Sequence, residues 1–225
     1  MCSVVLDQVE PNGGRSFISY IPSAFSNEDQ QRYIALLNKY PYVGGETSFG
    51  SIPREQLWFQ RDGDYFSKTW KDQTNPRWMS HQYDTNLDEL EKLIQSKITD
   101  FGITDFDNIK YPTINSCLIN KYRSGLDSIR AHRDNQTTFG DNPTVIGVSF
   151  GSERELVFKR IVYDPLKLNS IKPDQENPHE IRLKLKSGSM FLMGGDIQKY
   201  YSHEIPKDPD ADGVRYSLTF REFIK

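Results

Sequence analysis

The strongest constraint on the fold is a series of β-rich runs in the second half of the chain. Residues 113–122, 144–151, 155–163, 181–186, 190–193 and 214–220 are dense in Val, Ile, Leu, Phe, Tyr and Thr, with turn residues between them. Branched and aromatic side chains suit a pleated, half-buried surface, so runs of this length bounded by Gly, Pro, Asp and Asn read as strands. A set of short strands cannot bury its apolar faces as one isolated layer. It must close as a sandwich or a barrel. Two helices precede it. Ser26-Asn-Glu-Asp29 opens the first, with Ser26 as N-cap and acidic residues in the first turn; it runs to about Lys39, buries Tyr33, Ile34 and Leu37, and is closed by Pro41. The second is capped by Asn86 and carries Leu87, Leu90, Leu93, Ile94 and Ile98 at helical spacing as far as Thr99. A strand is expected over 15–21. Residues 42–83 are rich in Gly, Pro, Asp and aromatics with no helical period, so they read as short strands and loops. The fold class is α+β.

With 225 residues, one domain has enough chain for a substantial core. A net charge of -3 excludes a bulk polycation, so any nucleic-acid contact must use local basic patches. The two cysteines, Cys2 and Cys117, sit in no metal-binding spacing and read as reduced thiols. The sequence has no signal peptide, lipidation box or long apolar run. The expectation is therefore a soluble intracellular protein of cytoplasm or nucleus, with no membrane partner. Nothing in the sequence demands more than a monomer.

Chemistry concentrates in Asn120-Lys-Tyr-Arg-Ser-Gly-Leu-Asp-Ser-Ile-Arg-Ala-His-Arg-Asp134. On an extended segment, His132 and Asp134 point to the same side, so an imidazole and a carboxylate can grip one metal ion. A second histidine would complete a 2-His-1-carboxylate facial triad, a ligand set that leaves positions open and suits non-haem Fe(II). His203 is the candidate; His81 and His179 lie in loops without a matching carboxylate. Taken alone, each histidine also fits an ordinary surface or half-buried position. Arg215 and Arg221, an even number of residues apart in an apolar strand, share a face. Guanidinium groups on an inward face need an anion, and their bidentate geometry suits a small dicarboxylate.

Asn120-x-Tyr122-x-x-Gly125-x-x-Ile129-x-x-His132-x-Asp134, then His203, then Arg215-Tyr-Ser-Leu-Thr-Phe-Arg221, resemble the AlkB family of Fe(II)- and 2-oxoglutarate-dependent dioxygenases. Ile146-Gly-Val-Ser-Phe-Gly151, Leu156-Val-Phe158 and Gly188-Ser-Met-Phe-Leu-Met193 match it in order, over roughly 113–223. Ile52-Pro-Arg-Glu-Gln56 and the aromatics after it resemble, more loosely, the nucleotide-recognition lid of the repair branch.

The resemblance implies a double-stranded β-helix (jelly-roll) core over 113–225, with helices packed on one side and a recognition lid within 1–112, as a single domain. It implies Fe(II) held by His132, Asp134 and His203, and 2-oxoglutarate held by Arg215, Arg221, Asn120 and Tyr122. With O2 as cosubstrate, the reaction it implies is oxidative demethylation of an N-alkylated base in DNA or RNA, releasing formaldehyde, succinate and CO2. The base would be single-stranded or flipped from its duplex. Trp58, Tyr65 and Phe66 are then candidate stacking aromatics. Arg54, Gln56, Asn135 and Gln136 are candidate base-pocket residues, and Arg54, Arg61, Lys68 and Lys71 candidate phosphate contacts.

Two positions depart from the family pattern. Ser217 stands where the repair branch often has asparagine, and Asn135-Gln136 stand where relatives acting on cationic bases place a carboxylate. A dioxygenase of the same fold acting on a protein or a small molecule is the alternative.

Overall fold

The computed structural model describes residues 2–47, 50–61, 79–101, 113–168 and 170–224. In chain order these form β1 (Ser3–Val9), β2 (Arg15–Ile21), α1 (Asn27–Leu37), the two-residue strands β3 (Glu46–Thr47) and β4 (Gly50–Ser51), β5 (Glu55–Gln60), β6 (Ser80–His81) and α2 (Thr85–Asp100). Then follow β7 (Ser116–Tyr122), β8 (Ile129–His132), α3 (Gln136–Phe139), β9 (Val145–Gly151), β10 (Arg154–Arg160), β11 (Glu180–Leu185), β12 (Ser189–Gly195), α4 (Ile197–Tyr200), β13 (Tyr201–Ile205) and β14 (Arg215–Arg221). An eight-stranded sheet, ordered β1-β2-β12-β9-β14-β7-β5-β6, is complemented by a four-stranded sheet, β11-β10-β13-β8. This is the jelly-roll core with helices on one side.

Strict alternation explains how one large sheet serves two purposes. On β14, Tyr216, Leu218 and Phe220 join Ile146, Val148 and Phe150 of β9, Cys117 and Ile119 of β7, and Leu57 and Phe59 of β5 in one apolar cluster. The helices supply its other half: Tyr33 and Leu37 from α1, and Leu87, Leu90, Ile94 and Ile98 from α2. The intervening residues face the smaller sheet, where Ile18, Tyr122, Val145, Phe191 and Met193 meet Leu156, Phe158 and Leu183. Period-2 side-chain alternation thus puts a helix-covered core outside and a second core, with the site, inside. Gly147 is part of this fit. A Cβ there would lie 2.0 Å from the Phe191 ring, which crosses β9 at that point.

Local chemistry sets the element ends. Ser26 caps α1 through a reciprocal capping box with Asp29, and of the residues expected to be buried, Ile34 is only half-buried. α2 is capped by Asp84, whose carboxylate accepts from the Leu87 N–H at 2.9 Å, and not by Asn86, which lies inside the helix. Asp84 also accepts from the Tyr40 hydroxyl at 2.6 Å, tying the two helices together.

The expected division at residue 112 is not a division in the fold. β1, β2, β5 and β6 all come from the N-terminal part and are strands of the large sheet; β2 falls on the strand expected over 15–21, and β5 and β6 fall within the stretch read as short strands and loops. β13, unannounced by the polar Tyr201-Ser-His-Glu sequence, is half-buried in the smaller sheet. Among the described residues no helix is long and apolar enough to cross a membrane.

Candidate metal and cosubstrate site

β8 and β13 pair antiparallel with His132 directly opposite His203. Their ring centroids are 4.3 Å apart. Asp134 follows just past the end of β8, and one donor atom from each of the three residues lies within 4.8 Å of the others. With Nδ1 protonated, His132 donates to the Arg130 carbonyl at 2.9 Å, which leaves Nε2 for a ligand. Burial lowers the pKa of His132 and, with His132 beside it, pushes His203 down to about 3. Both rings are therefore neutral, the form a metal requires. Burial alone would raise the Asp134 carboxyl, but Arg221, the two histidines and a bond from Gln198 outweigh it and hold the carboxylate ionised. Two neutral imidazoles and one carboxylate, open on one side, fit Fe(II).

Gln198 is the residue that sequence reasoning missed. It is 2% exposed, and its Nε2 donates to Asp134 Oδ2 at 3.0 Å. Its Oε1 accepts from the Asp134 N–H at 3.1 Å. α4, which carries it, runs directly into β13 and His203. One side chain thus locks the carboxylate ligand to the segment bearing the distal histidine. The only signal was its position, shortly before His203.

The inward face of β14 and β7 supplies the rest. Register places Arg215 opposite Tyr122 and Ser217 opposite Asn120, while Gln56 of β5 lies opposite Asn120 on its other side. Arg215 is 1% exposed and has no carboxylate partner among the described residues; its Nε donates to Ser149 Oγ at 3.0 Å and its guanidinium lies 5.0 Å from the Tyr122 ring centre. Arg221 donates to Asp134 Oδ1 at 3.1 Å and stacks on Phe139. Among the described residues, Arg215 Nη1 and Arg221 Nε are buried without a protein partner. Buried guanidinium donors left open are costly, and a dicarboxylate satisfies both. The donor set fits 2-oxoglutarate.

A cavity of about 220 Å³ lies between the sheets, lined by the triad, both arginines, Asn120, Tyr122 and Ser217. Arg54, Gln56 and Asn135 reach its wall as well. Gln136 does not; it begins α3 beside it. The stacking expectation for Trp58 is corrected. Trp58 is 0% exposed, enclosed by Leu118, Phe139 and Phe223, with its Nε1 donating to Gln60 Oε1 at 3.1 Å. α3 and the C-terminal residues cover that end of β5, so no base reaches the indole. Tyr65, Phe66, Lys68 and Lys71 lie outside the described residues. Arg61 is committed to Asp88 and Glu91 of α2, at 2.8 Å each. His81 leans on Phe59, and His179 shares a hydrogen bond with the Tyr201 hydroxyl at 2.8 Å. Neither joins the triad.

A jelly roll with a facial triad and a buried arginine pair between its sheets defines a class, the 2-oxoglutarate oxygenases. The chain belongs to the 2OG-Fe(II) oxygenase superfamily, which it matches over residues 17–221, and whose cofactors are Fe(II) and 2-oxoglutarate. Within that superfamily the chain is similar, over about half of its length, to curated AlkB-type proteins. The DNA oxidative demethylase ALKBH2 of Arabidopsis thaliana is 34% identical over 118 residues, 48% of this chain and 37% of that protein. ALKBH2 of Homo sapiens is 30% identical over 112 residues, 50% of this chain and 41% of that protein. The human alpha-ketoglutarate-dependent dioxygenase alkB homolog 3 is 30% identical over 109 residues, 48% and 36% of the two chains. In each case the match spans less than half of the relative's length. The solved structure of OsALKBH1 superposes with a TM-score of 0.60 at 14% identity, covering 91% of this chain and 96% of that one; this likeness concerns the fold.

Proposed function

We propose that this chain oxidatively demethylates N-alkylated bases in nucleic acid. The observation that carries the reading is the convergence on one cavity of a metal-type His-Asp-His group and two buried guanidinium groups with open donors. Similarity to proteins named DNA oxidative demethylases supports the choice of nucleic acid; the proposal covers DNA or RNA. Arg215 and Arg221 bind the two cosubstrate carboxylates, with Asn120, Tyr122 and Ser217 beside them. His132, Asp134 and His203 hold the iron, and Gln198 and Arg221 orient Asp134. When bound, iron and 2-oxoglutarate with O2 supply oxidation of the N-methyl carbon to a hydroxymethyl group, with succinate and CO2 as coproducts. The hydroxymethylated base then loses formaldehyde.

The protein's part is to present the methyl carbon and keep water out. Leu156, Phe191 and Met193 form the apolar side of the cavity. Because the iron ligands sit between two sheets, the base must leave its stack and enter alone, as a single strand or a flipped nucleotide, bound by a monomer.

The test is O2-dependent loss of a methyl group from modified oligonucleotides, followed by mass, with His132→Ala as control. Release of formaldehyde in step with succinate supports the proposal. Succinate formation with every oligonucleotide unchanged would refute it and direct the search to proteins or small molecules.

A further inference from the structure

We propose a second ligand site, separate from the metal cavity, that binds a small organic cation bearing N–H donors, such as an alkylammonium or alkylguanidinium ion. It does not depend on the nucleic-acid reading. The site lies where the residues just after β1 meet the end of β10 and the segment leading into β11. An open groove of about 590 Å³ is lined there by Gln8, Glu10, Arg160, Asn177 and His179.

Glu10 carries the inference. It is 3% exposed, and its Oε2 accepts from Arg160 Nη2 at 2.9 Å. Its Oε1 is buried with no partner among the described residues. A buried carboxylate oxygen without a donor is costly, so the position asks for a donor from outside the chain. Arg160 cannot supply it. Its Nη1 donates to the Tyr201 hydroxyl at 3.3 Å, and its Nε faces Asp174 at 3.6 Å. The guanidinium lies against the Tyr200 and Tyr201 rings, 5.3 and 5.5 Å from their centres. One cation thus faces two carboxylates, an excess of one negative charge. Lys199, on α4 just before the two tyrosines, is bound to Asp196 at 2.7 Å.

A proton count along the same wall gives a second acceptor. The Tyr201 hydroxyl has one proton, which it donates to Gln8 Oε1 at 3.1 Å. His179 Nδ1, 2.8 Å from that hydroxyl oxygen, must then be the donor of its pair. In the neutral ring Nε2 is left as an acceptor, on an exposed side chain. Val9, Pro11 and Pro178 add apolar flanks. Two acceptors, an excess negative charge and apolar flanks complement an N–H cation on a short aliphatic chain. A bare metal ion is not served, because among the described residues only His132, Asp134 and His203 form a group of three with metal-ligand spacing. The metal cavity does not suit such a cation either, since Arg54, Arg133, Arg215 and Arg221 line it.

The experiment is calorimetric titration of the full chain at about pH 8, where an imidazole is neutral. The probes are n-butylammonium and n-butyltrimethylammonium, equal in chain and charge, the second without N–H donors. Expected is saturable binding of n-butylammonium at one site, at least about tenfold tighter than n-butyltrimethylammonium, equal to about 1.4 kcal/mol. Two variants weaken it several-fold. Glu10→Gln keeps an acceptor for Arg160 and turns the open oxygen into an amide donor; His179→Phe keeps a ring against Tyr201 and removes Nε2. Thermal unfolding confirms that each is folded, and where Glu10→Gln is not, His179→Phe, at an exposed position, decides. Binding should be unchanged with Mn(II) and 2-oxoglutarate present; displacement by them would put the cation in the metal cavity and overturn the site. No saturable heat, equal affinity for the two ions, or undiminished binding in the folded variants would overturn it as well.

Discussion

Replacing Gln198 probes how the iron site is held together. The Gln198 amide donates to Asp134 Oδ2 at 3.0 Å and accepts from the Asp134 N–H at 3.1 Å. The first bond is charge-assisted, worth about 1.5–3 kcal/mol, and the second neutral, worth about 0.5–1.5 kcal/mol. Gln198→Ala removes both. Asp134 keeps Arg221 on Oδ1, so the carboxylate remains ionised but is free to swing toward the guanidinium and away from the histidines. Loss of an outer partner of a metal ligand costs about 10–100-fold in metal affinity, and the larger value is expected here because both contacts go at once.

Gln198→Glu preserves volume and sharpens the test. It retains an acceptor for the Asp134 N–H but sets carboxylate against carboxylate, so at neutral pH it should bind metal no better than the alanine variant. The assay is anaerobic titration with Mn(II) as an iron surrogate, read by calorimetry, beside thermal unfolding without metal. A packing role alone would lower Tm in Gln198→Ala and leave the Mn(II) affinity within about twofold of wild type. That result would refute the reasoning.

Other outcomes follow from the same geometry. 2-Oxoglutarate added anaerobically should raise Tm in wild type and not in Arg215→Met. Without ligand Arg215→Met should be at least as stable as wild type, because an apolar side chain replaces a buried unpaired charge; a Tm rise from 2-oxoglutarate in the variant would remove Arg215 from the site. Trp58→Ala should cost about 3–5 kcal/mol of stability, as expected for a fully buried aromatic. Trp58→Phe, folded, should leave KM for any oligonucleotide unchanged, whereas a rise in KM would restore a stacking role. Folded His203 takes a proton only near pH 3, while in the unfolded chain it does so near pH ~6.5. Between these values the unfolded state binds the extra proton, so metal-free stability falls as pH falls, by at most about 1.4 kcal/mol per unit. His203→Gln lacks that contribution, and its Tm should decline less steeply between about pH 6.5 and pH 5; parallel curves would show that His203 is not buried in neutral form.

What could be read in the sequence, and what could not, divides along physical lines. The arginines of β14 were legible because charge on an inward, period-2 face contradicts its surroundings, and only an anion resolves the contradiction. The His132-x-Asp134 pair was legible because its two donors lie close in sequence. His203 reaches His132 through a strand register that no local pattern displays, and its candidacy rested on the poorer context of His81 and His179 and on the family resemblance. Gln198 acts across a separation of 64 residues, and a buried glutamine carries no periodic mark. Trp58 shows the converse: an aromatic in a segment without helical period suggests an exposed stacking surface, yet β5 lies inside the large sheet and α3 and Phe223 close over it. Aromatic content reports how much apolar surface must be buried, and sheet order decides which rings remain free.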